Sequence, residues 1–440
     1  MSHAGTVVET STEGRRAGYV VAILGTEVLV AVLGTLSLPG SPGGNMLQLI
    51  AYPLGLLLGI VLWLRAPSTR PAGGFLRAFL VLALSMWVLE AGRLAIAGRP
   101  VSPVWVTLIV LLLLIWVKPP DGAAGQRIVD AMAVIMVSAV VVTLVLESAG
   151  AALSWYQLYP PFDDFIESDN AGYWLPLAEP LGLDGRWAGP FPHPNMAGPV
   201  GGFLIVVGLC RRGWLQWVAI IAGVLVLVLT NSRTSTIAAL VGAVVVLVAA
   251  AFRNWPRSWP SRAALLGTPA VIAGLLLETA AYTTPAGAVT STGVSLEQFS
   301  SLSGRTSIWP VYLRIWQESP WYGVPEGRIA NALQSGELPG WAITAHNLPL
   351  DTLVRFGILG GLLVAVALGV AAVMAWRAAA GGRIVGLGTL AVIFTSGLAE
   401  TLVFWRILAA STILLFLAVL ASIPDSAAPQ VEESRSPRSA

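Results

Sequence analysis

Long apolar runs, broken at glycine, proline and clustered charge, fill most of the chain. Val104 to Val117, Ile128 to Leu146 and Trp214 to Leu229 hold almost no charge. The longer runs approach the roughly 20 residues that cross about 30 Å of hydrocarbon. Lipid offers backbone groups no partner, so such runs must be helices. The breaks place spans near 18–38, 46–64, 78–97, 101–117, 128–149, 196–210, 214–230, 235–252, 263–277, 358–376, 384–398 and 402–423. The pattern therefore predicts an all-α polytopic membrane protein with about twelve transmembrane helices. It divides into an N-terminal arm (1–17), a single membrane domain (18–423) and a tail (424–440) rich in Pro, Ser and Glu that reads as disordered. No internal repeat and no soluble domain is visible.

Two connections are too long for tight turns, about 150–195 and 278–346. Long loops commonly carry function. The first is acidic and carries Trp155, Tyr156, Tyr173, Trp174 and Trp187, residue types that favour a membrane interface. In the second, Trp309, Tyr312, Leu313 and Trp316 fall at i, i+3, i+4 and i+7, which predicts an amphipathic helix resting on the membrane or on the bundle.

Composition agrees with this reading. Of 440 residues, 56% are hydrophobic and 11% charged, against about 25% charged in an ordinary soluble domain. A formal net charge of +2 gives no polyanion-binding surface, so no nucleic-acid partner is expected, and the single cysteine, Cys210, excludes an intrachain disulfide. The first apolar run follows Arg15 and Arg16 as a signal peptide would, but no small-residue cleavage site follows it. Lys118 is the sole lysine among the basic positions, an arginine bias that points to a GC-rich bacterial genome. With both termini cytoplasmic, the inner loops hold Arg65, Arg70 and Arg77, then Lys118 and Arg127, then Arg211 and Arg212, then Arg253, Arg257 and Arg262, then Arg377 and Arg383. That is the positive-inside pattern, and it puts both long loops on the outer side of a bacterial cytoplasmic membrane.

Candidate chemistry gathers on those loops. His346 lies in Ala345-His346-Asn347-Leu348-Pro349, just before an apolar stretch. A helix N-terminus there disfavours imidazolium and leaves a neutral side chain able to act as a general base. An interfacial histidine capping a helix would give the same local pattern. Arg233, in Asn231-Ser232-Arg233-Thr234-Ser235, sits at an outer helix mouth against the charge bias, and Arg305 immediately precedes the amphipathic helix. Guanidinium pairs bidentately with phosphate oxygens; either arginine could instead snorkel to lipid headgroups. The segment from Arg186 through Gly189, Pro190, Phe191, Pro192, His193 and Pro194 to Asn195 is too rich in Pro and Gly for a helix and reads as a rigid lip. Glu90, Arg93, Glu400 and Arg406 lie in or beside apolar spans, where charge implies pairing or function. Glu90 and Arg93, at i and i+3, have the spacing to neutralise each other.

These residues resemble the O-antigen ligase and O-antigen polymerase superfamily of bacterial membrane glycosyltransferases. The ligase pattern of His, then Asn, Ser or Gln, nine residues, Gly, two residues, and Gly, Thr or Tyr is met by His346, Asn347, Gly357 and Gly360. Ser232-Arg233 and Ser303-Gly304-Arg305 with Trp309 match the family's two outer arginines in order and spacing. The run Gly189 to Asn195 is similar to its "G-x-F-x-x-P-N" segment, and Ser319-Pro320-Trp321-Tyr322-Gly323 to its "P-x-x-G" turn. The resemblance covers about residues 185–410, and one departure is Ile237 at the leucine of an Arg-x-x-x-Leu pattern.

The resemblance implies a GT-C-like fold with a lipid-facing cavity opening to the outer side, and a donor glycan on undecaprenyl diphosphate. Arg233 and Arg305 would hold the diphosphate and His346 would take the proton from an acceptor hydroxyl. Arg186, His193, Asn195, Asn347, Gly357, Gly360 and Glu400 would support them, with no metal and no cofactor. The acceptor would be a glycan, lipid or protein hydroxyl; ligase and polymerase motifs overlap, so the pattern does not choose between them. Two other readings stand beside this one. Asp163, Asp164 and Asp169 could hold a divalent cation for a metal-dependent transferase. A transporter or flippase of lipid-linked sugars would also have about a dozen spans, though it would place its polar residues at the midplane rather than at one face.

Overall fold

The computed structural model describes residues 17–30, 43–67, 73–96, 103–148, 187, 189, 191, 194–253, 305–325, 327–340, 342–400 and 410–424. Every regular element among them is helical. In chain order these are α1 (Ala17–Val30), α2 (Gly43–Arg65), α3 (Gly74–Ile96), α4 (Pro103–Val117), α5 (Gly122–Ser148), α6 (Pro194–Cys210), α7 (Trp214–Thr230), α8 (Arg233–Arg253), α9 (Arg305–Gln317), α10 (Gly327–Gln334), α11 (Leu348–Ala380), α12 (Val385–Gly397) and α13 (Ala410–Ala421). Four are long and apolar enough to cross a membrane, namely Gly74–Arg93, Gly122–Val145, Arg233–Ala251 and Leu348–Ala380, and seven shorter apolar helices accompany them. The arm, the tail, the predicted 263–277 span and most of the first long loop lie outside the described residues.

The central helix is α6, buried at all but two positions. It packs against α7 and α8, and α12 closes over α8 and α6. Small residues permit this closeness, as they do wherever helices associate without a hydrophobic drive from water. A Cβ on Gly201 would lie 2.8 Å from the Gly223 carbonyl, and one on Gly223 would lie 2.6 Å from the Gly201 carbonyl. The basic turns gather at one end of the bundle. There Arg211 pairs with Asp130 (2.6 Å) at the start of α5, and Lys118 donates to the carbonyls of Trp63 and Ala66. Trp187 packs on Val140 and Val226 near the other end of α5, and that end carries Arg233, Arg305 and His346.

A second, smaller core sits there. Ile308, Tyr312 and Ile315 of α9 and Ile329 and Ala332 of α10 pack with Leu350 and Val354 of α11. The amphipathic helix thus rests on the bundle, on a face centred on Ile308, Tyr312 and Ile315, while Leu313 is exposed.

The span expected at 358–376 begins ten residues earlier, at Leu348, because α11 is two helices joined at a break. Gly357 adopts φ 65 and ψ −168. A break inside an apolar span frees peptide groups that only protein can satisfy, and the turn at 320–324 does so. Ile358 N–H donates to the Pro320 carbonyl (2.8 Å), Leu359 N–H to Trp321 (3.2 Å), and Val324 N–H to Val354 (2.9 Å). A Cβ at Gly357 would overlap the Trp321 carbonyl, and one at Gly323 (φ 77) the Arg355 carbonyl. The "P-x-x-G" turn and the first glycine of the histidine motif are therefore two halves of one joint. Gly360 leaves room for the Phe356 side chain one turn earlier.

Candidate active site

His346 ends the loop before α11 in a left-handed conformation, φ 47. For a residue with a Cβ this costs about 1–2 kcal/mol, and such strain concentrates at functional sites. The next residue caps the helix. The Asn347 side-chain oxygen accepts from Leu350 N–H (2.9 Å), Pro349 follows in the first turn, and Asn347 Nδ2 donates to the Leu398 carbonyl (2.9 Å). That last bond ties the start of α11 to the end of α12, where Glu400 lies.

Glu400 joins two of the predicted residues. Its Oε2 is 3.1 Å from His346 Nδ1, and its Oε1 forms an ion pair with Arg305. Arg305 also donates from Nη1 to the Ala399 carbonyl (2.6 Å). All three side chains are largely buried, at 17% exposure for His346, 13% for Arg305 and 7% for Glu400. In the neutral imidazole with Nδ1 donating to the carboxylate, Nε2 is the nitrogen that carries the lone pair. Arg305 has five N–H donors and spends two on these partners, so it retains capacity for a further anion.

Arg233 opens α8. Asn231, left-handed at φ 45, ends α7 with its N–H on the Val228 carbonyl, so the chain turns within two residues and places Arg233 at the mouth. Ser232 and Ser235 share a hydrogen bond (2.9 Å) and pack against Gly198 of α6. Arg233 has no carboxylate partner among the described residues and stands close enough to Arg305 for the two guanidiniums to repel each other. Two cations within electrostatic range of each other can bind a multiply charged anion.

The remaining predicted residues divide. Asn195 is buried at the start of α6, one turn from Gly198. Gly357 and Gly360 form the joint in α11 rather than the site itself. Trp187, Gly189 and Phe191 of the lip are placed, with Trp187 and Phe191 buried and Trp187 N–H on the Leu229 carbonyl (2.9 Å). Arg186 and His193, like Asp163, Asp164, Asp169 and Arg406, lie outside the described residues. Among the described residues no group of three or more His, Cys, Asp or Glu side chains is placed to hold a metal ion.

Sequence reasoning missed the support around the histidine loop. Tyr312 donates to the Ala342 carbonyl (2.6 Å) and Trp309 to the Ala345 carbonyl (3.0 Å), so the aromatic face of α9 grips the loop as well as burying apolar surface. Arg93 reaches the Val324 carbonyl (2.7 Å) and covers the Phe356 ring at 5.1 Å, bracing the joint in α11, and Glu90 attracts Arg355. Beside the site an apolar groove of about 570 Å³ starts at Leu348, Pro349 and Leu398 and runs along α11 to Leu368 and Gly369.

A family model described as O-antigen ligase matches residues 218–365, from α7 to the second half of α11. Over those residues the chain is similar to the O-antigen ligase superfamily. The match takes in Arg233, Arg305, His346, Gly357 and Gly360, and stops before Glu400. No curated protein matches the chain significantly. Members of this superfamily are membrane glycosyltransferase-type enzymes that act on lipid-linked glycans.

Proposed function

We propose that this protein acts as a member of the O-antigen ligase superfamily and transfers a glycan from an undecaprenyl-diphosphate donor to an acceptor hydroxyl at the outer face of the membrane, with His346 as base. The observation that carries the reading is that Glu400 joins Arg305 and His346, remote in sequence, with Arg233 within electrostatic range of Arg305 at the same end of the bundle. Arg233 and Arg305 bind the diphosphate. Glu400 fixes the imidazole so that Nε2 faces the acceptor. The acceptor oxygen attacks the anomeric carbon, its proton passes to Nε2, and the bond from that carbon to the diphosphate oxygen breaks with its electron pair leaving on the lipid diphosphate. The two cations meet charge where it develops, which is the largest single contribution in most such sites. One base and preorganised cations are sufficient for a leaving group of this kind, so the step needs no metal.

The apolar groove supports a lipid-linked donor. From Leu348 to Gly369 the two halves of α11 together rise at most about 30 Å at 1.5 Å per residue, comparable with the hydrocarbon thickness. Spread over that length, 570 Å³ has room for one hydrocarbon chain, since packed chain atoms stand about 4 Å apart. Its outer end adjoins Asn347 and Ala399, so a chain lying in it presents its head to the arginines.

The test is transfer of radiolabelled glycan from undecaprenyl diphosphate to candidate acceptors by the purified protein in EDTA, beside His346→Ala. The expected result is transfer that survives EDTA and falls at least about a hundredfold in the variant. Transfer abolished by EDTA would point to the metal-dependent reading. Movement of intact lipid-linked glycan across vesicles, with no bond broken, would make the protein a transporter.

A further inference from the structure

The loop ending in His346 is held at four backbone groups by side chains from α9 and α11. Tyr312 takes the Ala342 carbonyl, Arg355 Nη2 the Ile343 carbonyl (3.0 Å), Asp351 Oδ1 the Ala345 N–H (3.1 Å) and Trp309 the Ala345 carbonyl (3.0 Å). Asp351 Oδ2 also receives Arg355 Nε (2.8 Å), and the pair is buried, at 7% and 16% side-chain exposure. Glu90 of α3 lies within electrostatic range of Arg355. A buried ion pair is weak evidence for stability, because desolvation offsets its attraction. Its geometry is the informative part. The carboxylate and the guanidinium each use one arm on each other and one on the loop, so the pair spans residues 343–345 as a brace.

We propose that Asp351 and Arg355 are positioning residues for His346, holding the loop taut so that the histidine keeps its left-handed conformation and its imidazole stays against Glu400. The inference rests on the reading of His346 as the base. The Ala345 carbonyl belongs to the peptide plane on which the φ of His346 turns. Asp351 holds the Thr344–Ala345 peptide through the Ala345 N–H and Trp309 holds the Ala345–His346 peptide through its carbonyl, so both planes leading into His346 are fixed. Without the brace the strained residue relaxes to an ordinary conformation and swings its ring away from Glu400. Neither Asp351 nor Arg355 touches the diphosphate-binding arginines, so donor binding is left alone.

Two readouts on the purified full-length protein test this. The first is the rate of diethyl pyrocarbonate labelling at each histidine, resolved by mass spectrometry, with His3 and His193 as internal references. Asp351→Ala and Arg355→Ala are expected to speed labelling of His346 by about five- to tenfold while His3 and His193 keep their rates. The second is glycan transfer, where kcat falls about tenfold or more and the donor KM changes less than about twofold, since only the base is displaced. Arg355→Lys keeps the charge but lacks the fork that reaches both Asp351 and Ile343, so it falls between. Asp351→Asn conserves shape and guards against a variant that fails to fold. Unchanged His346 labelling in both Asp351→Asn and Arg355→Ala would overturn the proposal. So would labelling that rises together at all three histidines, which would make the pair a support of the fold alone. A selective rise at His346 in a protein that shows no transfer even as wild type would leave the brace standing and overturn the function instead.

Discussion

Glu400 is the residue on which the two halves of the site meet, because one oxygen holds Arg305 and the other His346. Glu400→Gln keeps the shape but offers a single carbonyl oxygen to two donors and removes the charge that favours the Nδ1–H tautomer. It should lower kcat by about 10- to 100-fold with little loss of thermal stability, a result that steady-state kinetics and a melting curve check together. Arg305→Lys should act differently, raising the donor KM roughly tenfold, because a point charge cannot grip a diphosphate and a carboxylate at once. Equal KM values in the two proteins would remove Arg305 from donor binding. At this scale Arg233 and His346 stand out in the sequence as polar residues at the mouths of apolar helices, and Arg305 as the residue just before the amphipathic helix. Glu400 was visible only as a charge beside a span. Asp351 and Arg355 were not legible, since an i, i+4 acid–base pair in a first turn reads as an ordinary helix-surface ion pair. What distinguishes them is contact with a loop that the sequence does not show folding back.

Among the elements, α11 carries the most information about how the site is held. Gly357→Ala would force a Cβ into the Trp321 carbonyl at a φ that L residues avoid, so a loss of about 2–4 kcal/mol is expected. Gly323→Ala should cost a similar amount, and the double variant less than the two together, because both substitutions open the same joint. Fully additive losses in denaturation would mean that the turn and the broken helix are independent. The α9–α10 layer gives a pH test. Arg328 bonds both Glu318 and Glu337 and holds their carboxyls below the usual range. The folded values lie below the unfolded ones, so the stabilisation is complete above about pH 4.3 and is lost as pH falls through the lower folded values. These groups are partly exposed at the surface, which keeps the effect under about 1 kcal/mol and sensitive to salt. The difference in melting temperature between wild type and Arg328→Gln should therefore be small at pH 7 and vanish at about pH 3. Helices such as Trp214–Thr230 and Pro103–Val117 could be read almost to the residue, since uninterrupted apolar runs leave no other reading. The helix start after His346 was legible too, but not that it continues across a break at Gly357 into the span placed at 358–376, because the break depends on the turn at 320–324.

Across the whole molecule, the groove along α11 links the polar cluster at one end to the depth of the bilayer. Most of its wall is apolar, and glycines at 361, 369 and 397 keep it open. Gly369 is the useful one, since a Cβ there meets nothing within 4 Å and it lies at the end farthest from His346. Gly369→Phe should therefore fill the deep end of the groove without disturbing the bundle or the site. If a single lipid chain occupies the groove from head to end, the variant penalises long donors and spares short ones. The deep segment lies about 30 Å along the helix from the site, beyond the reach of a chain of two or three isoprene units. The expected outcome is a donor KM raised roughly five- to tenfold for undecaprenyl diphosphate glycans, unchanged for donors with a chain of two or three units, and a kcat within about twofold of wild type for both. An equal penalty on both donors would mean that the substitution acts through the fold. No penalty on either would mean that the chain leaves the protein near Leu348 and runs free in the lipid, which would confine recognition to the diphosphate and the sugar.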